Sequence, residues 1–532
     1  MGDSRSVLRS LVALGALVFG VGCPGEKGSA TPEPVDADGD GYGVDEDCDD
    51  GDAGVHPGVD EVWYDGVDQN CDGLSDYDAD GDGTYVDGIG ADDCDDFDPE
   101  VYENETDIMA LGIGPDCADM LVSARRYGEQ AEDGASAGSA AGDVNGDGYD
   151  DILMRAWGWK DDTGATVGAN YVVLGPMTGD QSLATADARI LGTEEWIGFG
   201  ALLEGLGDVD GDGYDDIIAS RPVGDWDVMS VVFMGPISGD LSIEDGDGTW
   251  SQNPSTEVGY AVGVGDVDGD ELPDIGYRVD SDAYGRSGAG LARGPLAGDH
   301  TLAEEVAFVS SPYSGDYCAP RGVGDINGDG FADVGVVCRG SAVALFSGPI
   351  SGDYILSEGD ATFAVAHSYV CGAGDTNGDG YADLTLSSSQ AAAGSDEFRG
   401  AVFQYWGPVL GAKDPYTNAD VMLVGENSGD FAVVIGEGVD LNGDGLDDTL
   451  VGAFLDTNLG AIYALLSPTS GTVSLGDAWW KVTGDTPDNQ VSLLGTLGDT
   501  DGDGYADVLL GQLTQSVMQP EDGAFYLLRG GT

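Results

Sequence analysis

One nine-residue pattern occurs seven times in this chain, and it restricts the fold more than any other feature. The copies are DVNGDGYDD from Asp143, DVDGDGYDD from Asp208, DVDGDELPD from Asp266, DINGDGFAD from Asp325, DTNGDGYAD from Asp375, DLNGDGLDD from Asp440 and DTDGDGYAD from Asp499. Their spacings are 65, 58, 59, 50, 65 and 59 residues. A period near sixty marks an architecture of stacked units, each burying its apolar face against its neighbours. Every copy runs into a short apolar stretch, such as Ile152-Leu153-Met154 or Val508-Leu509-Leu510, which has the length of a strand and is too short for a helix. After each of the first six copies, another apolar stretch ends in a turn: Gly175-Pro176, Gly235-Pro236, Gly294-Pro295, Gly348-Pro349, Gly407-Pro408 and Ser467-Pro468. A further apolar segment, Val421-Met422-Leu423 for instance, follows the turn.

The unit is therefore strand, loop, strand, strand, turn, strand. Seven such units predict an all-β, seven-bladed β-propeller with four-stranded blades over residues 118–532. After the last loop only two strand-like segments remain, so the seventh blade lacks its outer strand. Met120-Leu121-Val122, ahead of the first loop, is expected to supply it and close the ring, which removes the open sheet edges.

Within each nonapeptide, side-chain oxygens fall at positions one, three, five and nine, with glycine at four and usually at six. Hard oxygen cages of this type suit calcium, and glycine allows the tight curl. The expected ligands are the side chains at one, three, five and nine with the backbone carbonyl at seven. In chain order the sets are Asp143, Asn145, Asp147, Tyr149 and Asp151; Asp208, Asp210, Asp212, Tyr214 and Asp216; Asp266, Asp268, Asp270, Leu272 and Asp274; Asp325, Asn327, Asp329, Phe331 and Asp333; Asp375, Asn377, Asp379, Tyr381 and Asp383; Asp440, Asn442, Asp444, Leu446 and Asp448; and Asp499, Asp501, Asp503, Tyr505 and Asp507. An EF-hand would need an acidic residue at position twelve, where this chain has Met154, Ala219, Tyr277, Val336, Leu386, Val451 and Leu510. The nonapeptide β-helix fails on period. Loop three has Glu271 where the others have glycine and Pro273 before Asp274, so it is expected to bind most weakly.

These loops, with Phe199-Gly200 ahead of the second, resemble the FG-GAP repeats of integrin α-subunit propellers and their bacterial relatives. The resemblance covers residues 118–532 and implies about seven calcium ions in the propeller.

Residues 36–117 carry a different acidic pattern twice, DADGDGYGVDEDCDD and DADGDGTYVDGIGADDCDD, the first followed by Asp68-Gln69-Asn70-Cys71. It resembles the MopE-type metal-binding repeat. With few apolar residues, such modules need ions and disulfides to hold them. Asp36, Asp38, Asp40 and Asp47 form one expected cage and Asp78, Asp80 and Asp82 part of another, for roughly two more calcium ions. The family name raises copper, but oxygen donors with His56 as the nearby nitrogen favour calcium. Cys48 and Cys71 lie 23 residues apart, as do Cys94 and Cys117, which suggests one bridge in each repeat. Cys318 and Cys338 flank the fourth loop and are open to two readings, a bridge or buried thiols.

Residues 1–23 place Arg5 and Arg9 before an apolar run from 11 to 21 that is followed by Gly22 and Cys23. The run is an export signal, too short for a lasting transmembrane helix. Its ending resembles a bacterial lipoprotein signal, which implies lipidation of Cys23 and an outer-membrane or cell-surface location; the alternative is plain secretion. Residues 24–35 read as a flexible tether.

The formal charge of −82 excludes general attraction to nucleic acid or to an anionic membrane face. No catalytic constellation stands out: the three histidines, His56, His300 and His367, lack metal-ligand spacing, and there is no nucleophile elbow or phosphate loop. The expected function is a calcium-dependent surface or secreted binding module that contacts extracellular protein or polysaccharide through loops on one propeller face. The alternatives are an enzyme working on extracellular polysaccharide in the channel, and a protein that captures calcium or copper.

Overall fold

The computed structural model describes residues 122–530 except for 194–202, 251–256, 312–317, 390–398, 427–431, 454–459, 484–490, 513–523 and some shorter intervals; before them it describes Tyr42, Cys48, Val55, His56, Pro57 and Cys71. Chain contacts separate residues 1–83 from residues 84–532. In the first unit Cys48 and Cys71 form the expected disulfide, with Cα atoms 5.6 Å apart. The Tyr42 ring stacks on His56 with centroids 4.8 Å apart.

The second unit is seven sheets, one per repeat. Blade one shows the plan: Ala135–Gly142, Asp151–Ala156, Ala169–Val173 and Ala188–Leu191 pair antiparallel in that order. The metal-type loop joins the first two strands. Middle strands such as Ala169–Val173, Ala401–Tyr405 and Ala461–Leu465 are buried along their whole length. A blade's middle strands are covered on both faces by adjoining blades, which explains why they read as continuous apolar runs without alternation. Tyr171, Tyr463 and Tyr526 occupy the same third position of the third strand in three blades, and all are fully buried.

The ring closes as the sequence suggests, on a strand that runs beyond the expected apolar triplet. Val122–Tyr127 pairs antiparallel with Ala524–Leu528, Arg125 facing Tyr526, and completes the seventh blade. The strand begins at Val122 and runs on to Tyr127, whereas Met120 and Leu121 lie outside the described residues. Its later residues include Arg125 and Arg126, so hydropathy understates it. Ala124 is the part that packs in the core, and the Arg126 guanidinium donates to the Gly179 carbonyl at 2.7 Å.

The four-stranded blade of the sequence reading needs one addition. Among the described residues, six of the seven sheets carry a fifth, short strand donated by the following repeat and paired parallel to the outer strand. Gly239–Ser242, from repeat two, pairs with Ala188–Leu191 of blade one, and Gly179–Ser182 pairs with the closing strand. Each donated strand follows the proline turn and starts with glycine, as in Gly179-Asp180-Gln181-Ser182-Leu183 and Gly239-Asp240-Leu241-Ser242-Ile243. Leu183 and Ile243 then bury themselves in single-turn helices. Outer edges are thus covered as well as the ring closed.

In blade four, Cys318 and Cys338 face each other across antiparallel strands and are bridged, with Cα atoms 4.0 Å apart. Cys371 is outside any disulfide, and its thiol donates to the Gly436 carbonyl at 3.4 Å.

Candidate metal centres

Each loop is curled by its first aspartate. Asp143 Oδ1 accepts from the N–H groups of Gly146 at 2.6 Å and Asp147 at 3.1 Å, and Oδ2 accepts from Gly148 at 2.9 Å. The same three bonds recur around Asp208, Asp325, Asp375, Asp440 and Asp499. Position-five carboxylates accept from the N–H at position seven, as Asp147 does from Tyr149 at 3.1 Å. Loop shape is therefore built largely from the chain's own hydrogen bonds, a form of preorganisation.

Position nine does more than the sequence reading gave it. The Asp151 carboxylate is fully buried and accepts from Val144 N–H at 3.0 Å and from Gly175 N–H at 2.8 Å, pinning the loop's second residue to the proline turn. All seven position-nine aspartates make the equivalent pair of bonds. Their burial raises the carboxyls of Asp151 and Asp448 to about 7 and those of Asp216, Asp274, Asp333 and Asp507 to about 6, with neighbouring loop carboxylates adding to the rise and the backbone donors opposing it. Folded, ion-free chain thus holds protons that the unfolded chain gives up above an ordinary value of 3.8. Its stability should fall as pH climbs through 6 to 7. Calorimetry on the ion-free protein should give a higher melting temperature at about pH 5 than at about pH 8, and saturating calcium should remove or reverse that order, because coordination requires the carboxylates ionised.

The loops also hold one another. The N–H of position eight donates to the carbonyl of position one in the preceding loop: Asp215 to Asp143 at 3.0 Å, Ala332 to Asp266 at 2.8 Å, Ala382 to Asp325 at 3.2 Å, Asp447 to Asp375 at 3.2 Å, Ala506 to Asp440 at 3.2 Å and Asp150 to Asp499 at 3.3 Å. The link between loops two and three is missing because Pro273 has no N–H. Packing completes the circle. A Cβ on the position-four glycine would lie 2.7 Å from Tyr214 at Gly146, 2.4 Å from Phe331 at Gly269 and 2.6 Å from Tyr149 at Gly502, in each case the position-seven side chain of the following loop. Position seven is thus a packing residue as well as an expected carbonyl donor. Its uniformly large side chains, Tyr, Leu or Phe, were the overlooked signal.

Side-chain oxygens of Asp208, Asp210 and Asp216 lie within 4.8 Å of one another, as do those of Asp266, Asp268 and Asp274, and of Asp499, Asp501 and Asp503. These are the three loops with aspartate at position three. An all-oxygen donor set, close like charges and a desolvated carboxylate fit a hard divalent cation. In loop three Glu271 has φ +72°, against +85° to +95° for the position-six glycines elsewhere. Glu271→Gly should relieve that conformation and raise stability by up to about 1 kcal/mol in urea unfolding. Asp36, Asp38, Asp40, Asp47, Asp78, Asp80, Asp82, Cys23, Cys94 and Cys117, and the Phe199-Gly200 pair, lie outside the described residues.

Fold and loops together define a seven-bladed β-propeller with an aspartate-rich, oxygen-donor loop in every blade. The family comparisons agree with this class. Residues 47–76 and 93–120 match the Cu-binding MopE family, described as "Putative metal-binding motif". The chain is 32% identical over 159 residues to integrin alpha-IIb of Mus musculus and 33% identical over 158 residues to integrin alpha-5 of Xenopus laevis, in both cases across 28% of this chain and 15% of that protein. It therefore spans a small part of the length of these relatives. Among solved structures, the crystal structure of BBS1N in complex with ARL6DN, soaked with mercury, aligns over 77% of this chain and 98% of that one, with 9% identity and a TM-score of 0.38. The chain resembles integrin α propellers and carries the MopE-type metal-binding motif.

Proposed function

We propose that this chain is a calcium-dependent binding module that works outside the cell, holding a protein or polysaccharide ligand through loops on a propeller face. The observation that carries this reading is the ring of seven oxygen-donor loops, each holding three or four close carboxylates, whose like charges call for a hard cation. Calcium would keep the ring stiff, and the ligand would meet the loops that the stiff ring presents. The likeness to integrin α chains supports a binding role over a catalytic one, since propellers serve both and the site must decide.

Protein and glycan arrays probed with calcium and with chelator test the proposal. Calcium-dependent capture of a defined ligand class supports it, and turnover of a polysaccharide would move the reading to the enzyme alternative. Elemental analysis of the purified protein distinguishes calcium from copper. Cys23 is proposed as the lipid anchor, so Cys23→Ser should shift the protein from the membrane fraction to the medium; an unchanged distribution favours another mode of export.

A further inference from the structure

Two blades place a guanidinium against the metal loop. Arg293 Nε is paired with Asp268 Oδ2 in loop three, and Arg529 Nε lies 2.5 Å from Asp501 Oδ2 in loop seven. Both acceptors are position-three aspartates with side chains 8% and 5% exposed. The other oxygen of each is already used by the loop: Asp268 Oδ1 accepts from Asp270 N–H at 3.2 Å and Asp501 Oδ1 from Asp503 N–H at 3.1 Å. Each arginine thus sits, as a half-exposed ion-pair partner, against the oxygen that the loop's own hydrogen bonds leave over for an ion.

The two arginines hold equivalent places in the repeat. Each directly follows the third strand of its blade and precedes the turn glycine, Gly294 or Gly530. The same place is Leu174, Met234, Ser347, Trp406 and Leu466 in the other blades. Where position three is asparagine, in loops one, four, five and six, no arginine occurs there. A loop with asparagine carries three ligand carboxylates at positions one, five and nine. A loop with aspartate and arginine carries four carboxylates and one fixed positive charge, which is the same net charge. Loop two, with Asp210 and Met234, keeps four carboxylates without that arginine.

We propose that Arg293 and Arg529 are tethered counter-cations that compete with the divalent ion, so that loops three and seven form a weak class of sites while their blades keep their shape at low calcium. The inference rests on the calcium reading of the loops. Guanidinium suits the task because it stays charged and is weakly hydrated, so it pairs with a nearly buried carboxylate at lower desolvation cost than an ammonium. An ion entering loop seven must share Asp501 with the arginine or displace it, and either course lowers its affinity. Loop seven is the cleaner case because Gly504 leaves position six unstrained, whereas loop three also carries Glu271.

The experiment uses the full chain and calcium alone as the probe. Calorimetric titration of the wild type should show a weak class of two propeller sites. Arg529→Met should move one site into the tight class with roughly a tenfold gain in affinity, the range typical of two coupled ligands. In chelator, Arg529→Met should melt below the wild type, and Arg529→Met combined with Asp501→Asn should recover the loss, since the pair then matches the asparagine loops. In saturating calcium the single variant should melt close to the wild type. An arginine that only packs would lower melting equally in chelator and in calcium, would not be rescued by Asp501→Asn, and would leave the titration unchanged; that result overturns the proposal. A flat titration for every variant overturns the calcium reading instead, and the chelator rescue then still decides whether the arginine neutralises Asp501.

Discussion

Chelation of divalent ions should lower the melting temperature of the propeller by roughly 10 °C or more. Extracellular-type calcium sites have dissociation constants near 10⁻⁴ to 10⁻³ M, so at about 1 mM calcium a site of about 0.1 mM contributes roughly 1.4 kcal/mol by mass action. Five to seven such loops sum to roughly 7 to 10 kcal/mol, comparable to the net stability of an ordinary domain. A large chain converts each kilocalorie into a smaller temperature shift than a small domain does, hence the expected size. Sodium at matched ionic strength should not substitute, because screening weakens repulsion but supplies no coordination. Asp210→Asn, which leaves the Asp208 and Asp216 backbone bonds in place, should produce a fraction of the effect. Scanning calorimetry with calcium, with chelator and with added sodium makes the comparison, and three superimposable curves would mean that the loops are turns held by their own hydrogen bonds.

Loss of the closing strand should be at least as damaging. Val122–Tyr127 bonds on one side to Ala524–Leu528 and on the other to Gly179–Ser182, so its removal opens two ladders at once. It also withdraws Ala124 from a core shared with Leu509, Phe525 and Leu527. A chain beginning at residue 128 should lose stability on the scale of a whole domain, about 5–15 kcal/mol, and should aggregate through its unpaired edges. A chain beginning at residue 122 should remain folded. Circular dichroism melts and light scattering on the two truncations test this, and equal stability would show that ring closure lies elsewhere.

The parts of the fold that were legible in the sequence are those where chemistry requires a particular residue at a particular place. Aspartate and glycine recur because the curl at Asp143 to Gly148 needs a carboxylate acceptor and positive φ. The repeat period then fixes the number of blades. Parts that depend on packing were less visible. The donated strand Gly239–Ser242 is short and polar, so it shows no apolar run, although its Gly-Asp-x-Ser opening repeats at Gly179. The closing strand was legible at Val122, whereas its continuation to Tyr127 was hidden because Arg125 and Arg126 mask it. At the candidate site, acidic residues were readable one loop at a time, while Arg293 and Arg529 lie 25 and 28 residues after the aspartates they face, Asp268 and Asp501, beyond any local pattern. The second use of the position-nine aspartates was hidden for a similar reason: one of the two partners of each sits in the next turn of the blade.

Pro273 leaves the circle of loops with one undonated link, between the second and third blades, whereas the strand that sews the ring shut lies between the seventh blade and the first. The molecule therefore has two seams at different points of its circumference, one in the loop layer and one in the strand layer. A fluctuation that parts the loops at Pro273 meets continuous strands beneath it, and one that frays Val122–Tyr127 meets the intact Asp150 to Asp499 bond above it. Offsetting the two weak points in this way means that the loop layer and the strand layer are not both interrupted at the same point of the ring.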